Sequence, residues 1–241
     1  MGCDKYDKYI NELRLIQNTW GQMCPNDVKF LYFLGEQPTP EFTGPNFINL
    51  PGVLDDYLSA SYKQFLGLKY IHENYDYDFI LCCGSDTYIN VPKLINFASN
   101  FDPTKSLYIG GHGCHREIGN RTYYFHSGGP GFLLTKPCII QLYPILSDIM
   151  KKWIDITKEL GVFNYLHWAC DVTIAYFLQQ ENMNIDIIKA DDLVFTHCNY
   201  VGIPCHPNQI DLKRLVSCHC MSPQDFIDYT KLLHDNNFFL E

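Results

Sequence analysis

The stretch FILCCGSDTYINV, residues 79–91, decides the fold. Phe79 to Cys83 is an apolar run with almost no polar alternation, the pattern of a strand covered by helices on both faces. It stops abruptly at Gly84-Ser85-Asp86, so a polar turn leaves the carboxyl end of a central strand. Pro92 then suits the first turn of a helix reaching Phe101. In open α/β sheets ligands gather where the carboxyl ends of strands meet loops, which makes Asp86 a candidate for chemistry. A capping role in the turn explains Asp86 equally well at this point.

Working outward from this stretch, strands and helices alternate. Tyr6, Tyr9, Leu13, Ile16 and Trp20 recur at helical spacing and predict a helix over 5–20, followed by a strand from Lys29 to Leu34 that Gly35 ends. A proline-rich loop leads to a helix marked by Leu58, Tyr62, Phe65 and Leu66 and reaching about Asn74. After residues 79–91, Ser106 to Gly110 reads as a strand, and GGHGCHREIGNRTYYFHSGGPGF, 110–132, as a long loop. Pro137 opens a helical stretch that Pro144 must kink or split. Asp171 to Gln180 reads as a helix and Leu193 to Thr196 as a late strand. At Ser222-Pro223-Gln224-Asp225 a cap, a first-turn proline and a dipole-complementing acid start the last helix. The alternation predicts one α/β domain over 1–241.

Composition narrows the function. With 46% apolar and 19% charged residues, a chain of 241 residues can bury a continuous core, which excludes a disordered polymer. The net charge of -9 repels phosphate backbones and argues against nucleic acid as a partner. Every apolar run is interrupted well short of the roughly 18 residues a spanning helix requires, so no direct membrane span is expected. The opening MGCDKYDKY has no apolar signal core and carries Tyr6 where a myristoylation signal has Ser or Thr, which makes a soluble, cytoplasmic setting the default expectation. Eleven cysteines, an odd number, leave the redox compartment open, as does the single sequon Asn120-Arg121-Thr122.

Three further segments carry candidate chemistry. SGGPGFLLT, 127–135, sets Gly128, Gly129 and Gly131 around Pro130 ahead of an apolar strand, so main chain can approach a ligand closely there or simply turn. Asp171 opens the helix CDVTIAYFL, where it can cap the helix or act as a general base. Cys198, Cys205, His206, Cys218, His219 and Cys220 crowd the C-terminal third at irregular spacing, a composition that suits zinc.

The order of these features, a strand ending in Asp, a glycine loop, an Asp opening a helix and later histidines, resembles the fringe and core-1 beta-1,3-galactosyltransferase family. These are inverting glycosyltransferases of the GT-A fold. LIQNTWG, 15–21, is similar to the family's Ile-Arg-x-Thr-Trp segment, FILCCGSDTYINV to its Asp-Asp-Asp-x-Tyr-Val metal segment and SGGPGFLLT to its Gly-Gly-x-Gly-Phe loop. CDVTIAYFL resembles the segment with the catalytic acid, VFTH, 194–197, the Phe-His-Ser-His segment of fringe, and LVSCHCMSPQDF, 215–226, the terminal Ser-Phe-His-Tyr-Val-x-Pro strand and helix.

The resemblance implies transfer of a sugar from a UDP-sugar to a hydroxyl of a glycan or glycoprotein acceptor, with a beta-1,3 linkage. Asp171 would be the catalytic base, and Ser85, Asp86, Gly128, Gly129 and Gly131 would contact the donor. Asp86 with His219 or His197 would bind Mn2+. Gly84 and Ser85 stand where the family has its first two acidic residues, Gln17 where it has Arg and Cys170 where it often has an acid, which implies a weaker metal site and, as the alternative, a degenerate transferase that binds without turnover. The family's first strand is expected to be absent or altered, and its usual Golgi-lumenal setting stands against the cytoplasmic default.

Overall fold

A computed structural model describes residues 6–36, 39–56, 58–191, 194–197 and 214–235. Helix α1 (Asp7–Asn18) turns Leu13 and Ile16 inward, and a short 3-10 turn then buries Trp20, whose Nε1 donates to the Thr87 carbonyl at 3.1 Å. The indole thus locks the start of the chain to the segment that follows the decisive apolar run. Strand β1 (Tyr32–Leu34) pairs in parallel with β2 (Phe47–Asn49), and α2 (Ala60–Asn74) packs on β1. A fully buried ion pair, Lys63 with Asp55, joins α2 to this region, and the Gly35 N–H donates to the same carboxylate at 3.2 Å.

The apolar run forms β3 (Phe79–Cys82), and the turn after it enters β4 (Thr87–Ile89). Helix α3 (Val91–Ala98) begins as read, with Asn90 accepting from the Lys93 N–H at 3.3 Å and Pro92 in its first turn. Beyond it lie β5 (Leu107–Gly110), β6 (Gly113–Ile118), β7 (Arg121–His126) and β8 (Phe132–Thr135). Pro144 does split the following helix. Helix α4 (Lys136–Leu142) ends in a 3-10 turn before α5 (Ile149–Glu159), α6 (Phe163–Leu166) and α7 (Cys170–Leu178). Strands β9 (Asp186–Lys189), β10 (Phe195–His197) and β11 (Ser217–His219) precede helix α8 (Pro223–Asp235). At its start Ser222 Oγ accepts from the Asp225 N–H while the Asp225 carboxylate accepts from the Ser222 N–H, each at 3.2 Å.

Two sheets organise the molecule. The larger runs β3-β8-β5-β9, with β8 antiparallel to both neighbours and β5 parallel to β9; the smaller runs β10-β11-β4. Helices α4, α5 and α7 close over the larger sheet around the fully buried Trp153, Tyr108 and Phe132.

Three expectations change. Among the described residues β3 lies at the edge of its sheet, not at its centre, because β1 pairs with β2 alone. A cavity of about 490 Å³ is lined by Tyr32 and Phe33, by Phe79 to Cys82 and by Gly67 and Leu68 of α2, so the apolar run is covered there without a neighbouring strand. The stretch 110–132 is a β-hairpin, not a loop, since Ile118 pairs with Arg121 across the two-residue turn Gly119-Asn120 with Gly119 at φ 65. The strand expected from Lys29 begins at Tyr32. Part of the proposed zinc cluster, Cys198, Cys205 and His206, and the start of the late strand at Leu193, lie outside the described residues.

Candidate active site

Strand register assembles the site from distant parts of the chain. In the smaller sheet His197 of β10 is level with His219 of β11, and His219 is level with Thr87 of β4. Asp86, one residue before Thr87, therefore meets His219, and His197 stands on the far side of that imidazole. Asp86 Oδ1 lies 3.1 Å from His219 Nε2, and the His197 and His219 ring centroids are 4.5 Å apart. The Asp86 carbonyl also accepts from the Cys220 N–H at 3.0 Å, which ties the turn after β3 to the end of β11. Burial raises the Asp86 carboxyl, but the hydrogen bond and charge of His219 outweigh it and hold the group below its ordinary value.

The glycine loop runs beside this pair. A Cβ on Gly129 would sit 2.2 Å from His219 Nδ1, so only glycine lets the main chain pass under the imidazole. The Gly129 carbonyl accepts from Thr87 Oγ1 at 2.7 Å and the Pro130 carbonyl from Ser217 Oγ at 2.6 Å, which fixes the loop to β4 and β11. Gly131, at φ 93, adopts the left-handed backbone that favours glycine and packs against the Cys82 carbonyl.

One residue earlier the loop meets the second carboxylate. The Gly128 N–H donates to Asp171 Oδ2 at 3.0 Å, and the Val172 N–H to Oδ1 at 2.9 Å. Asp171 lies in the first turn of α7, whose N-cap is Ala169, so it is not itself the cap. Burial raises its pKa against the lowering effect of these two backbone donors. Gly128 and Gly129 thus stand side by side, one touching Asp171 and the other His219.

Of the residues the resemblance implied, Asp86 and His219, with His197 beside it, lie on one side of this loop and Asp171 on the other, with Gly128, Gly129 and Gly131 between; Ser85, next to Asp86, bonds to Glu12. The two rival histidines lie side by side, with His219 the one in contact with Asp86. Cys218 leaves the cluster, because it points into the core and is fully buried.

Glu12 joins the site without having been singled out in the sequence, and Cys220 joins it from the zinc-type cluster. Glu12 of α1 accepts from Ser85 Oγ, and its carboxyl is raised by burial, with Asp86 adding to the rise. Cys220 places Sγ 3.8 Å from Asp86 Oδ2. A cavity of about 540 Å³ opens over Glu12, Asp86 and Cys220, with Lys8 and Arg14 on its wall. That volume is enough for a drug-sized ligand. Ligand atoms of His197, His219 and Cys220 lie within 4.8 Å of one another, and Asp86 adds a carboxylate against His219 and Cys220, a donor set that fits a divalent cation.

A sequence model of the Fringe-like family matches residues 2–200. The chain belongs to the Fringe-like family. Human chondroitin sulfate synthase 3 is 30% identical over 174 residues, covering 67% of this chain and 19% of that protein. The mouse protein of the same name is 29% identical over 178 residues, 67% of this chain and 20% of its own length. Human chondroitin sulfate glucuronyltransferase is 31% identical over 107 residues, covering 39% of this chain and 14% of that protein. The chain thus spans about a fifth or less of the length of these curated relatives. Its fold is similar to that of a glycosyltransferase involved in the glycosylation of the major capsid of PBCV-1, at a TM-score of 0.50 and 15% identity over 94% of this chain and 95% of that one. The α/β architecture of this Fringe-like chain is accordingly the GT-A, Rossmann-like glycosyltransferase fold. No helix among the described residues is long and apolar enough to cross a membrane.

Proposed function

We propose that this Fringe-like domain is an inverting glycosyltransferase that moves a sugar from a UDP-sugar to a hydroxyl of a glycan or glycoprotein, forming a beta-1,3 linkage. The observation that carries this reading is the step from Gly128 to Gly129, which sets a raised carboxyl and a carboxylate–imidazole pair on adjacent residues of one loop. A sugar hydroxyl is a weak nucleophile near neutral pH, so a positioned carboxylate must take its proton as it attacks the anomeric carbon. Asp171 fills that role. Its two backbone donors fix the carboxylate, and burial makes it a stronger base than a solvated Asp. Attack from the face opposite the leaving group inverts the anomeric centre.

The departing nucleoside diphosphate carries negative charge, and Asp86, His219 and His197 would hold the divalent cation, Mn2+, that offsets it. Gly128, Gly129 and Gly131 keep the main chain free of side chains where the donor lies, and Ser85 borders the diphosphate side. The relatives' names add glucuronic acid to the donors worth testing. The test is sugar transfer from a panel of UDP-sugars by the parent and by Asp171→Asn. Transfer that falls roughly a hundredfold or more in the variant while donor binding holds supports the reading. Equal transfer by both proteins refutes Asp171 as the base.

A second reading has its own support. A Cβ on Gly84 would lie 2.8 Å from Asp86 Oδ1, so the Asp86 side chain takes the space where the family keeps another acidic side chain. A degenerate domain that binds a nucleotide sugar or glycan without turnover fits that loss. Absence of transfer from every donor of the panel, with donor binding intact, selects it.

A further inference from the structure

The cation cluster has a fourth donor, and we infer that Cys220 binds the ion as a thiolate beside Asp86, His197 and His219, giving a zinc-selective centre. The inference rests on the reading of those three residues as cation ligands. Cys220 Sγ lies 3.8 Å from Asp86 Oδ2, 3.9 Å from His197 Nε2 and 3.5 Å from each ring nitrogen of His219. Asp86 Oδ1 and His219 Nε2 are 3.1 Å apart. A tetrahedral zinc ion with arms of about 2.0–2.3 Å holds its ligands roughly 3.3–3.8 Å from one another. The ligand atoms of His197, His219 and Cys220 all lie within 4.8 Å of one another, and Asp86 reaches two of the three, His219 and Cys220, so side-chain adjustment alone is needed to draw them onto one ion.

The backbone supplies an independent sign. Cys220 has φ 60, and among the described residues it is the one non-glycine residue in the left-handed region. Glycine or asparagine is the ordinary occupant of such a position, so a cysteine held there against its own preference points to a task for the side chain. The bond from its N–H to the Asp86 carbonyl keeps it in register with the carboxylate. Cys220 is exposed on the 540 Å³ cavity, so an ion reaches it from solvent. Cys218, two residues earlier, is sealed in the core and cannot substitute.

The chemistry then selects the metal. Thiolate with imidazole is a zinc donor set, whereas manganese prefers carboxylate, carbonyl and water. On binding, the S–H bond breaks, a sulfur–metal bond forms and the proton passes to solvent, with no change of oxidation state.

The test titrates the metal-free protein with Co2+ alone, without any nucleotide sugar, and reads the near-ultraviolet thiolate-to-cobalt charge-transfer band; zinc and manganese affinities follow by calorimetry. The parent should show the band, and both Cys220→Ser and Cys220→Gly should lack it. The glycine variant suits φ 60, so its folding is not in question. In both variants zinc affinity should fall roughly tenfold or more and manganese affinity by less than about threefold. No band in the parent, a band that survives both substitutions, or equal losses of zinc and manganese affinity would overturn the inference. Asp86→Ala reports separately on the cation cluster itself: unchanged manganese binding there defeats the functional reading whatever the thiolate band does.

Discussion

Asp86 and Asp171 are two carboxylates on either side of one glycine loop, Asp171 bonded to Gly128 and Asp86 linked to the loop through His219, and their surroundings treat them oppositely. Asp86 has His219 as a hydrogen-bond and electrostatic partner, which overrides burial and favours its charged form. Asp171 has backbone donors and the more weakly acting charge of Arg116, and burial prevails over them in favour of the neutral form. Paired titratable groups whose environments push their pKa values apart are the signature of divided labour in acid–base sites. The carboxylate on the histidine side is suited to remain an anion for a cation to bind, and the one on the helix side to accept a proton.

The largest expected effect breaks the pair into its halves. Asp171→Asn should cut transfer roughly a hundredfold or more with manganese-dependent donor binding unchanged, since the amide keeps the size but cannot take the proton. Asp86→Ala should do the converse at the binding step, weakening manganese-supported binding of the donor by roughly tenfold or more. Calorimetry with manganese and with chelator separates the two. Loss of metal dependence in Asp171→Asn, or its survival in Asp86→Ala, would erase the distinction between the carboxylates.

A smaller effect tests the glycine step itself. On Gly129 an added methyl would stand 2.2 to 2.6 Å from three atoms of the His219 ring, closer than real contacts allow, whereas on Gly128 the nearest atom is Asp171 Cβ at 3.3 Å. Gly129→Ala should therefore destabilise the fold by about 1–3 kcal/mol and displace the imidazole, with manganese affinity falling accordingly. Gly128→Ala should need only a slight shift. Thermal melts and manganese titration of the two variants should rank them in that order, and reversal of the order would mean that the loop does not hold His219 and Asp171 as described.

Much of this comparison was legible in the sequence, for local reasons. The abrupt end of FILCC marks Asp86, SGGPGF marks the close approach, and the acid opening CDVTIAYFL marks Asp171, each within a few residues. What could not be read depends on pairing across the chain. The register that sets His197 beside His219 joins two strands whose intervening segment carries no pattern for it, so the sequence offered two rival histidines where the sheet gives a pair. Glu12 reaches Ser85 across 73 positions, and no motif marks it; only its helical spacing from Lys8 hints that it faces outward from α1. The hairpin over 113–126 was missed for a different cause. Its two-residue turn Gly119-Asn120 was a readable signal, but the histidines and tyrosines of its strands break the apolar alternation expected of a half-buried ribbon. The edge position of β3 was masked because the cavity beside it and the helices around it keep the run as apolar as a central strand would be.

The smallest effect is in the pH dependence of stability, where the two carboxylates should leave opposite marks. With its folded pKa below the ordinary 3.8, Asp86 contributes stability that is fully present above that value and is lost as pH falls through the lower one. With its folded pKa above 3.8, Asp171 works the other way: the native state binds its proton more tightly than the unfolded chain, so ionisation lowers stability as pH rises through that pKa. Urea midpoints measured in chelator, with the parent compared to each Asn variant at every pH, isolate the two contributions from the other titrating groups. The parent should gain stability relative to Asp171→Asn as the medium is acidified from neutrality toward pH 3.8, and should lose it relative to Asp86→Asn as pH drops below that value. The same raised pKa places the acid limb of transfer activity above the pH at which a solvated Asp would ionise, because only the ionised Asp171 can take the acceptor proton. Parallel curves for the two variants would show that His219 does not distinguish the carboxylates in solution, and an acid limb at the ordinary Asp value would remove Asp171 from the proton transfer.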